Sequence, residues 1–354
     1  MRFVQILSII ILIGLSTFLT INRDVFIHDP ITAPNSAVQK NSQKTTKTTP
    51  QNRNEQYHDQ SDVFQWMGKS VTDLVNQWKD PVRKDMSAYD YTWYIYTDEK
   101  NEHIQFGVQD EKIVTIFATG KDVKADSLFI GQDYEKINNK FPLKDQVVYE
   151  NEVSSYIFYL KEDDLRMRPL IKIDDDVFVQ CYFDTFTNKL SSIRLLNGET
   201  LLKLHPYEIH YRGRLPEPTP PTKQEWGEIE SGMEQQIFEI TNVHRHMYGR
   251  DQLQWENQAR DVAFSHSKDM AENDYFSHNS LDGQGLQERL AVKEISYVTA
   301  GENIAAQYPD APSVVEGWLN SQDHREALLN EEYTHLGVGV YQLYYTQNFL
   351  EKPF

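Results

Sequence analysis

The order of apolar and polar positions divides the chain into parts of different character. An uncharged apolar stretch, residues 4–21, follows Arg2 and has the length of an export or membrane-spanning segment. No clear small-residue cleavage site follows it, so a signal peptide and an uncleaved anchor both stay open for residues 1–21. The polar stretch after it, residues 22–61, has too few apolar side chains to offset the entropy of ordering, and we expect a disordered linker there.

Helical and strand-like patterns alternate between residues 62 and 212. A short helical pattern begins near Met67 and stops before Pro81, and a similar one begins near Ile130 and stops before Pro142. Strand-like runs follow at 91–96, 104–108 and 112–118 in the first case, and at 156–160, 170–173, 177–183 and 190–196 in the second. We therefore expect an α+β domain of two repeats, each a helix packed on a small antiparallel sheet.

A proline-dense segment, residues 213–227, separates this domain from the C-terminal part and is expected to be an extended, semi-rigid linker. In the second domain, residues 228–354, apolar side chains recur at helical spacing over residues 228–248 and again over residues 256–273. His266 falls on the apolar face of the second helix, so we expect it in the core.

Charge and cysteine content exclude several classes of function. The chain has 53 acidic and 35 basic residues and a formal charge of −18, whereas a nucleic-acid partner requires a basic face. We therefore expect no nucleic acid as a partner. Cys181 is the single cysteine, so an intramolecular disulfide and a zinc site built from paired cysteines are excluded. The H-E-x-x-H, G-x-S-x-G and phosphate-loop motifs are absent from the sequence.

Candidate chemistry is concentrated after the linker, where six of the eleven histidines lie. His335 comes directly before a strand-like run, and we expect it at the end of that strand. In the first domain, the run Asp174-Asp175-Asp176 could hold calcium, but its place between two strand-like runs favours a solvated hairpin turn.

Six sequence blocks of the C-terminal part occur in the order found in bacterial CAP domains. They are residues 259–270 after Trp255, Tyr275-Phe276-Ser277-His278, Gly301-Glu302-Asn303-Ile304-Ala305, Gly317-Trp318-Leu319-Asn320-Ser321, Asp323-His324-Arg325 and Leu336-Gly337-Val338-Gly339-Val340. Over about residues 230–350 the chain therefore resembles the CAP family, also called SCP-like, of cysteine-rich secretory, antigen 5 and pathogenesis-related proteins. Residues 62–212 resemble the CAP-associated N-terminal domain of some spore-forming Gram-positive bacteria.

The resemblance implies an α-β-α sandwich, with helices on both faces of an antiparallel sheet and a cleft where histidines and acidic groups converge. Family clefts often carry a His-Glu-Glu-His tetrad, and some members bind a divalent metal through the histidines. His278 matches the first histidine, Glu302 a glutamate and His324 the second histidine. Ser321 stands where animal and plant members commonly have the other glutamate, and serine is an uncharged, weak metal ligand.

Two interpretations of these residues stay open. His278 and His324 could bind zinc with an open position for water, with Glu302 as ligand or orienting group. Alternatively, Glu302 only holds one imidazole by a hydrogen bond, and Ser321 caps the helix that begins near His324. In the same blocks, we expect Asn303 to support the loops through hydrogen bonds.

These features predict an exported protein, on the cell surface or secreted, whose cleft binds a small ligand, a lipid, a peptide or a cell-wall component. The alternative is a hydrolase of peptides or cell-wall polymers that is metal-assisted or uses Glu302 as its base. Arg325 is expected to support the loops rather than to touch a substrate. If residues 4–21 are not cleaved, they also contact the membrane.

Overall fold

The computed structural model describes residues 31–32, 62–97 and 102–353. Its helices are α1 Val71–Trp78, α2 Tyr134–Lys140, α3 Glu162–Met167, α4 Gly198–Leu204, α5 Lys223–Met247, α6 Asn257–Glu272, α7 Leu286–Val292, α8 Ala311–Leu319 and α9 Gln322–Leu329. Its strands are β1 Ile31–Thr32, β2 Arg83–Met86, β3 Thr92–Thr97, β4 His103–Gln109, β5 Lys112–Thr119, β6 Lys124–Ala125, β7 Leu128–Phe129, β8 Gln146–Glu150, β9 Ser155–Tyr159, β10 Leu170–Asp174, β11 Val177–Asp184, β12 Lys189–Asn197, β13 Glu208–Arg212, β14 Gln254–Trp255, β15 Thr299–Ala306, β16 His335–Tyr341 and β17 Tyr344–Leu350.

The main sheet of the N-terminal domain, called the large sheet here, is antiparallel and has the strand order β10-β11-β12-β5-β4-β3-β2. The predicted α+β class is confirmed, but the two repeats do not keep separate sheets. Strand β12 of the second repeat pairs with β5 of the first, with Ile193 opposite Ala118. This pairing satisfies the backbone N–H and C=O groups that two separate sheets would leave at their edges. The predicted strand at 156–160 instead joins a smaller sheet of order β13-β9-β8.

Both faces of the large sheet are buried. On one face, Tyr96 and Phe106 pack against Trp78 of α1. Trp93 and Ile95 point to the opposite face, as alternate residues of a strand do, and belong to the hydrophobic cluster that contains α5 and α8. The two domains therefore share a continuous core.

The C-terminal sheet has the order β1-β15-β17-β16-β14 within the described residues. On β17, the side chain of Gln347 donates to Oγ1 of Thr241 in α5, whereas that of the next residue, Asn348, donates to the carbonyl of Ala259 in α6. Because successive residues of a strand face opposite sides, α5 and α6 cover opposite faces of the sheet. The predicted α-β-α sandwich is confirmed.

Two glycines of β16 let α6 approach this sheet closely. A Cβ atom on Gly337 would lie 2.2 Å from the backbone nitrogen of Arg260, and one on Gly339 would lie 1.9 Å from that of Phe264. Backbone atoms in the middle of a packed helix cannot give way, so only glycine fits at these positions.

The long helix α5 begins at Lys223, five residues before the predicted start, so the end of the predicted linker at 213–227 is helical. A capping box explains the earlier start. Oγ1 of Thr222 accepts from the backbone N–H of Glu225, and the carboxylate of Glu225 accepts from the backbone N–H of Thr222. The extended connection is therefore residues 214–222.

The acidic run at 174–176 forms the turn between β10 and β11, which confirms the predicted hairpin. Asp176 also accepts hydrogen bonds from the hydroxyl of Tyr149 and the backbone N–H of Gly198. The carboxylate therefore connects the turn to the smaller sheet and to α4.

The predictions for residues 1–21 and for most of the linker at 22–61 lie outside the described residues. Within that linker, β1 pairs antiparallel with the first two residues of β15, Thr299 and Ala300. No helix in the described part of the chain is long and apolar enough to cross a bilayer.

Candidate functional site

His278 and Glu302 are brought into direct contact by a loop and a strand. His278 lies between α6 and α7, and its Nδ1 is 2.9 Å from Oε1 of Glu302 in β15. The side chain of Glu302 is 2% exposed, whereas that of His278 is 24% exposed. Because a carboxylate can only accept, Nδ1 of His278 is the donor. In the neutral imidazole, Nε2 is then the acceptor or ligand atom.

Arg289 of α7 completes the surroundings of this pair. Its Nη2 lies 2.6 Å from Oε2 of Glu302. One carboxylate oxygen therefore accepts from Arg289 and the other from His278. Nη1 of Arg289 donates to the backbone carbonyls of His278 and Gln284, at 2.8 and 3.0 Å. One guanidinium therefore fixes both the carboxylate and the loop that carries the imidazole.

These contacts set the charge of Glu302. Burial alone would raise its pKa, but the hydrogen bond from His278 and the positive charge of Arg289 lower the pKa to about 2. Glu302 is therefore ionised near neutral pH. A carboxylate with so low a pKa is a weak base, because efficient general bases have pKa values near the working pH.

His266 of α6 lies in the core, as predicted, and supports the loop before His278. Its Nε2 donates to the backbone carbonyl of Ser277 over 2.9 Å, and burial lowers the pKa of its imidazole. The negative charge of Glu302 acts on this imidazole too, against the effect of burial. His266 is thus a neutral neighbour of the same buried carboxylate.

His324 and Ser321 form a second pair at the start of α9. Oγ of Ser321 is 2.8 Å from Nδ1 of His324. Ser321 occupies the N-cap position of α9, as the capping interpretation predicts, but its side chain makes no capping hydrogen bond. The hydroxyl is directed to the imidazole of His324 instead of to the backbone of the helix.

Strand β15 connects the two pairs. Nδ2 of Asn303 donates to the backbone carbonyl of His324 over 3.1 Å and to Oε1 of Gln347 over 3.2 Å. Glu302 and Asn303 are neighbours on one strand, so their side chains leave opposite faces of the sheet. The His278–Glu302 pair therefore lies on the side of α6 and α7, and β15 contacts α9 on its other side.

The described contacts thus join His278 to Glu302 and Ser321 to His324. A single cleft shared by all four side chains stays a prediction. Among the supporting residues, the expectation for Asn303 is confirmed by its bond to the carbonyl of His324.

Arg325 and His335 also lie as expected. Arg325 donates to the backbone carbonyl of Leu319 and to the carboxylate of Asp184. His335 begins β16, and its Nδ1 contacts the hydroxyl of Thr334. Neither residue is placed among the groups that surround Glu302.

Arg289 was not among the residues predicted from the sequence. An arginine on a short helix usually faces solvent, but here the side chain is 9% exposed. The available signal was its position between Leu286 and Leu290, both buried on the same helix. A cation at such a position requires buried acceptors, and Glu302 is one of them.

The donor set does not match a zinc site of the usual kind. Within the described residues, no group of three or more His, Cys, Asp or Glu side chains is arranged to hold a metal ion. Both oxygens of Glu302 are engaged by His278 and Arg289, so a metal on this carboxylate would have to displace one of them. Protein zinc sites commonly use three or four protein ligands. Zinc at His278 and His324 stays a prediction.

Two family models match the chain, one for each domain. Residues 67–207 match the CAP-associated N-terminal model, and residues 238–350 match the cysteine-rich secretory protein family, CAP. These matches agree with the sandwich and with the sheet domain that precedes it.

Two relatives from Bacillus subtilis (strain 168) are similar in sequence. The uncharacterized membrane protein YlbC is 43% identical over 292 residues, which cover 82% of this chain and 84% of that protein. The uncharacterized protein YkwD is 36% identical over 124 residues, which cover 34% of this chain and 48% of that protein.

Two solved structures are similar over both domains. An extracellular protein containing an SCP domain from Bacillus anthracis str. Ames is 39% identical with a TM-score of 0.79, and the match covers 86% of this chain and all of that one. A cysteine-rich secretory protein from Staphylococcus aureus is 27% identical with a TM-score of 0.73, and the match covers 82% of this chain and 93% of that one. The two-domain arrangement therefore recurs in Gram-positive bacteria.

Proposed function

Because the chain belongs to the CAP family and carries the CAP-associated N-terminal domain, we propose that it is an exported protein that binds a polar ligand with His278 and His324. The relatives include proteins named as extracellular and as a membrane protein, which supports a place at the cell surface or outside the cell. The proposed ligand is a component of the cell wall, and anchoring through residues 4–21 would keep the protein beside it.

The observation that carries this proposal is the state of Glu302. Its carboxylate is buried, is paired with both Arg289 and His278, and has a pKa of about 2. Such a group orients an imidazole well and accepts a proton poorly. The arrangement therefore favours a rigid imidazole that recognises a ligand over an acid-base pair that hydrolyses one.

The two imidazoles suit a polar, hydrogen-bonding ligand. With Nδ1 of His278 donating to Glu302, we propose that the opposite ring nitrogen, Nε2, which is buried, is the atom that a ligand entering the site would contact. At His324, the hydroxyl of Ser321 contacts Nδ1 and holds the ring, but because a hydroxyl can donate or accept, this contact does not fix which ring nitrogen carries the proton. Wall polymers are rich in hydroxyl, amide and carboxylate groups that hydrogen-bond to imidazole nitrogens.

The test measures binding of the full-length chain, purified in mild detergent, to isolated Gram-positive cell walls. We expect His278→Ala and His324→Ala each to weaken binding roughly tenfold, since each removes one hydrogen bond to the ligand. His210→Ala is the matched control, because His210 lies on the smaller sheet with its side chain 63% exposed. If the wild type, His278→Ala, His324→Ala and His210→Ala all bind walls equally well, the proposal is rejected.

The hydrolase alternative predicts a different result in the same experiment. If Glu302 acts as a base, the wild-type chain releases soluble wall fragments and Glu302→Gln does not, although it stays folded. We expect no such release from either protein. Release that depends on Glu302 would replace the binding proposal with the enzymatic one.

Zinc binding at His278 and His324 is tested separately by calorimetric titration of the full-length chain. The metal hypothesis requires that His278→Ala combined with His324→Ala abolish zinc affinity, while His210→Ala leaves it intact. Equal affinity in all these proteins would place any bound zinc elsewhere.

A further inference from the structure

We propose that the N-terminal domain positions the pair formed by His324 and Ser321, through Phe183 and Asp184 at the end of β11 and Thr185 directly after it. This inference rests on the proposed role of His324 in ligand binding. It assigns to the N-terminal domain a direct part in shaping the C-terminal site, in addition to the shared hydrophobic core.

The first contact fixes the junction between α8 and α9. Oδ1 of Asn320 accepts from the backbone N–H and the hydroxyl of Thr185, at 2.8 and 2.9 Å. Its Nδ2 donates to the backbone carbonyl of Phe183 over 2.9 Å and to that of Glu316 over 3.1 Å. Asn320 immediately precedes Ser321, the N-cap residue of α9 that contacts His324.

The second contact fixes the first turn of α9. Both terminal nitrogens of Arg325 donate to the carboxylate of Asp184, at 3.1 and 3.0 Å, and Nη1 also donates to the carbonyl of Leu319. The side chain of Asp184 is 1% exposed and that of Arg325 is 13% exposed. A buried two-point contact of this kind defines orientation as well as distance.

Asp184 is itself held in place. Its carboxylate accepts hydrogen bonds from the hydroxyls of Tyr248 and Thr187 and from the backbone N–H of Phe186. Burial would raise its pKa, but these hydrogen bonds and the charge of Arg325 keep the pKa below its usual value. The residue that orients α9 is therefore an ionised group with a fixed geometry.

The consequence for His324 is geometric. Residues on both sides of it, Asn320 and Arg325, are bound to the N-terminal domain, so the position and rotation of α9 depend on that domain. The partners described for His278, namely Glu302 and Arg289, belong to the C-terminal domain. The His324 side of the site is thus held from both domains, by Asn303 of β15 and through Asn320 and Arg325, whereas the contacts given for His278 lie within the C-terminal domain.

The test compares Asp184→Asn and Thr185→Val with Glu239→Gln in the full-length chain. Glu239 of α5 forms another ion pair between the domains, with Arg83. It is the matched control because it contacts neither the junction between α8 and α9 nor the first turn of α9. The first readout is the pair of 1H–13C NMR signals of the His324 imidazole, assigned with His324→Ala. The second is affinity for isolated cell walls.

We expect Asp184→Asn and Thr185→Val to shift the His324 signals, to leave the His278 signals in place and to weaken wall binding roughly threefold to tenfold. Glu239→Gln should change neither readout. Unshifted His324 signals in the folded variants would overturn the proposal. If Asp184→Asn does not fold, Thr185→Val decides, because it removes one hydroxyl hydrogen bond and leaves the buried charge pair intact.

The two proposals can fail separately. If the wild-type chain does not bind walls, the proposed function fails, whereas the His324 signals still report whether the N-terminal domain positions α9. If the wild-type chain binds cell walls but Asp184→Asn and Thr185→Val do not shift the His324 signals, only the proposed role of the N-terminal domain in positioning α9 is rejected.

Discussion

Arg194 of the large sheet donates to Asp310 over 2.6 Å, and this ion pair between the two domains is almost fully buried. Asp310 also caps α8, since its Oδ1 accepts from the backbone N–H of Ser313. A second buried carboxylate nearby, Glu316, contacts His244 and the hydroxyl of Ser191. The interface between the domains is therefore polar as well as apolar, and the charge of Arg194 is matched across it by that of Asp310.

Breaking this pair is expected to destabilise both domains together. Arg194→Met leaves Asp310 buried without its cation, which typically lowers the free energy of unfolding by about 3–5 kcal/mol. Urea denaturation of the full-length chain, followed by tryptophan fluorescence, measures this change. Because the core is shared, we expect one unfolding transition in both proteins.

The control for this prediction is Glu331→Gln. Glu331 pairs with Arg250 on the surface, with the two side chains 75% and 38% exposed, so its removal should cost less than about 1 kcal/mol. If Arg194→Met is no more destabilising than Glu331→Gln, the buried pair does not hold the domains together.

Two glycine-to-alanine substitutions in the C-terminal domain should change the free energy of unfolding in opposite directions. Gly339→Ala places a Cβ atom 1.9 Å from the backbone of α6 and should lower the free energy of unfolding by about 1–3 kcal/mol, or more. Gly227 lies inside α5 with open space around its Cα, so Gly227→Ala should raise that free energy by about 0.5–1 kcal/mol. Thermal denaturation of both variants measures the difference, and two changes of the same sign would contradict the packing of β16 against α6.

Arg289 should control the order of the loop that carries His278. Arg289→Lys keeps a positive charge but cannot reach the carboxylate of Glu302 and two carbonyls at once. We expect amide hydrogen exchange in residues 278–285 to become roughly tenfold faster.

Arg250→Lys is the matched control for this exchange experiment, because Arg250 forms its ion pair at the surface. It should leave exchange in residues 278–285 unchanged. Unchanged exchange in Arg289→Lys as well would mean that the guanidinium does not hold the loop.

Acid should remove the contribution of Glu302 to stability. The pKa of Glu302 is about 2 in the folded chain and is near its ordinary value of 4.5 in the unfolded chain. A lowered pKa means that the ionised group stabilises the fold above pH 4.5 and that this stabilisation is lost as the pH falls towards 2. The free energy of unfolding of the wild type should approach that of Glu302→Gln by up to about 1.4 kcal/mol per pH unit in this window. A difference that stays constant between pH 6 and 3 would contradict the assigned ion pairs.

The periodic patterns of the sequence predict local elements but not the assembly of the large sheet, whereas the arrangement of the C-terminal sandwich follows from the family resemblance. The periodicity predicts α5 and α6 and most strands of the large sheet, because these patterns are local. The pairing of β5 with β12 is set by contacts between residues far apart in the chain. The burial of both sheet faces could not be predicted from β4, since Ile104 and Phe106 alternate with the polar residues His103 and Gln105, which is the pattern of a strand with one solvated face.

The site was predictable to the extent that it follows family sequence blocks. Those blocks identify His278, Glu302 and His324. The role of Glu302 depends on Arg289, which approaches it from another helix, and the position of His324 depends on Asp184, which lies in the other domain. Neither contact has a fixed spacing in the sequence.

The pKa of the Glu302 carboxyl distinguishes a carboxylate that orients His278 from one that could act as a base. A 13C NMR titration of the full-length chain measures it, with Glu302→Gln to assign the signal. If Glu302 orients His278 as an ionised partner, its signal will show no titration between pH 7 and 4 and a midpoint near 2. A midpoint at or above 4.5 would contradict the account, because the carboxyl would then lack the two ion pairs and could serve as a base.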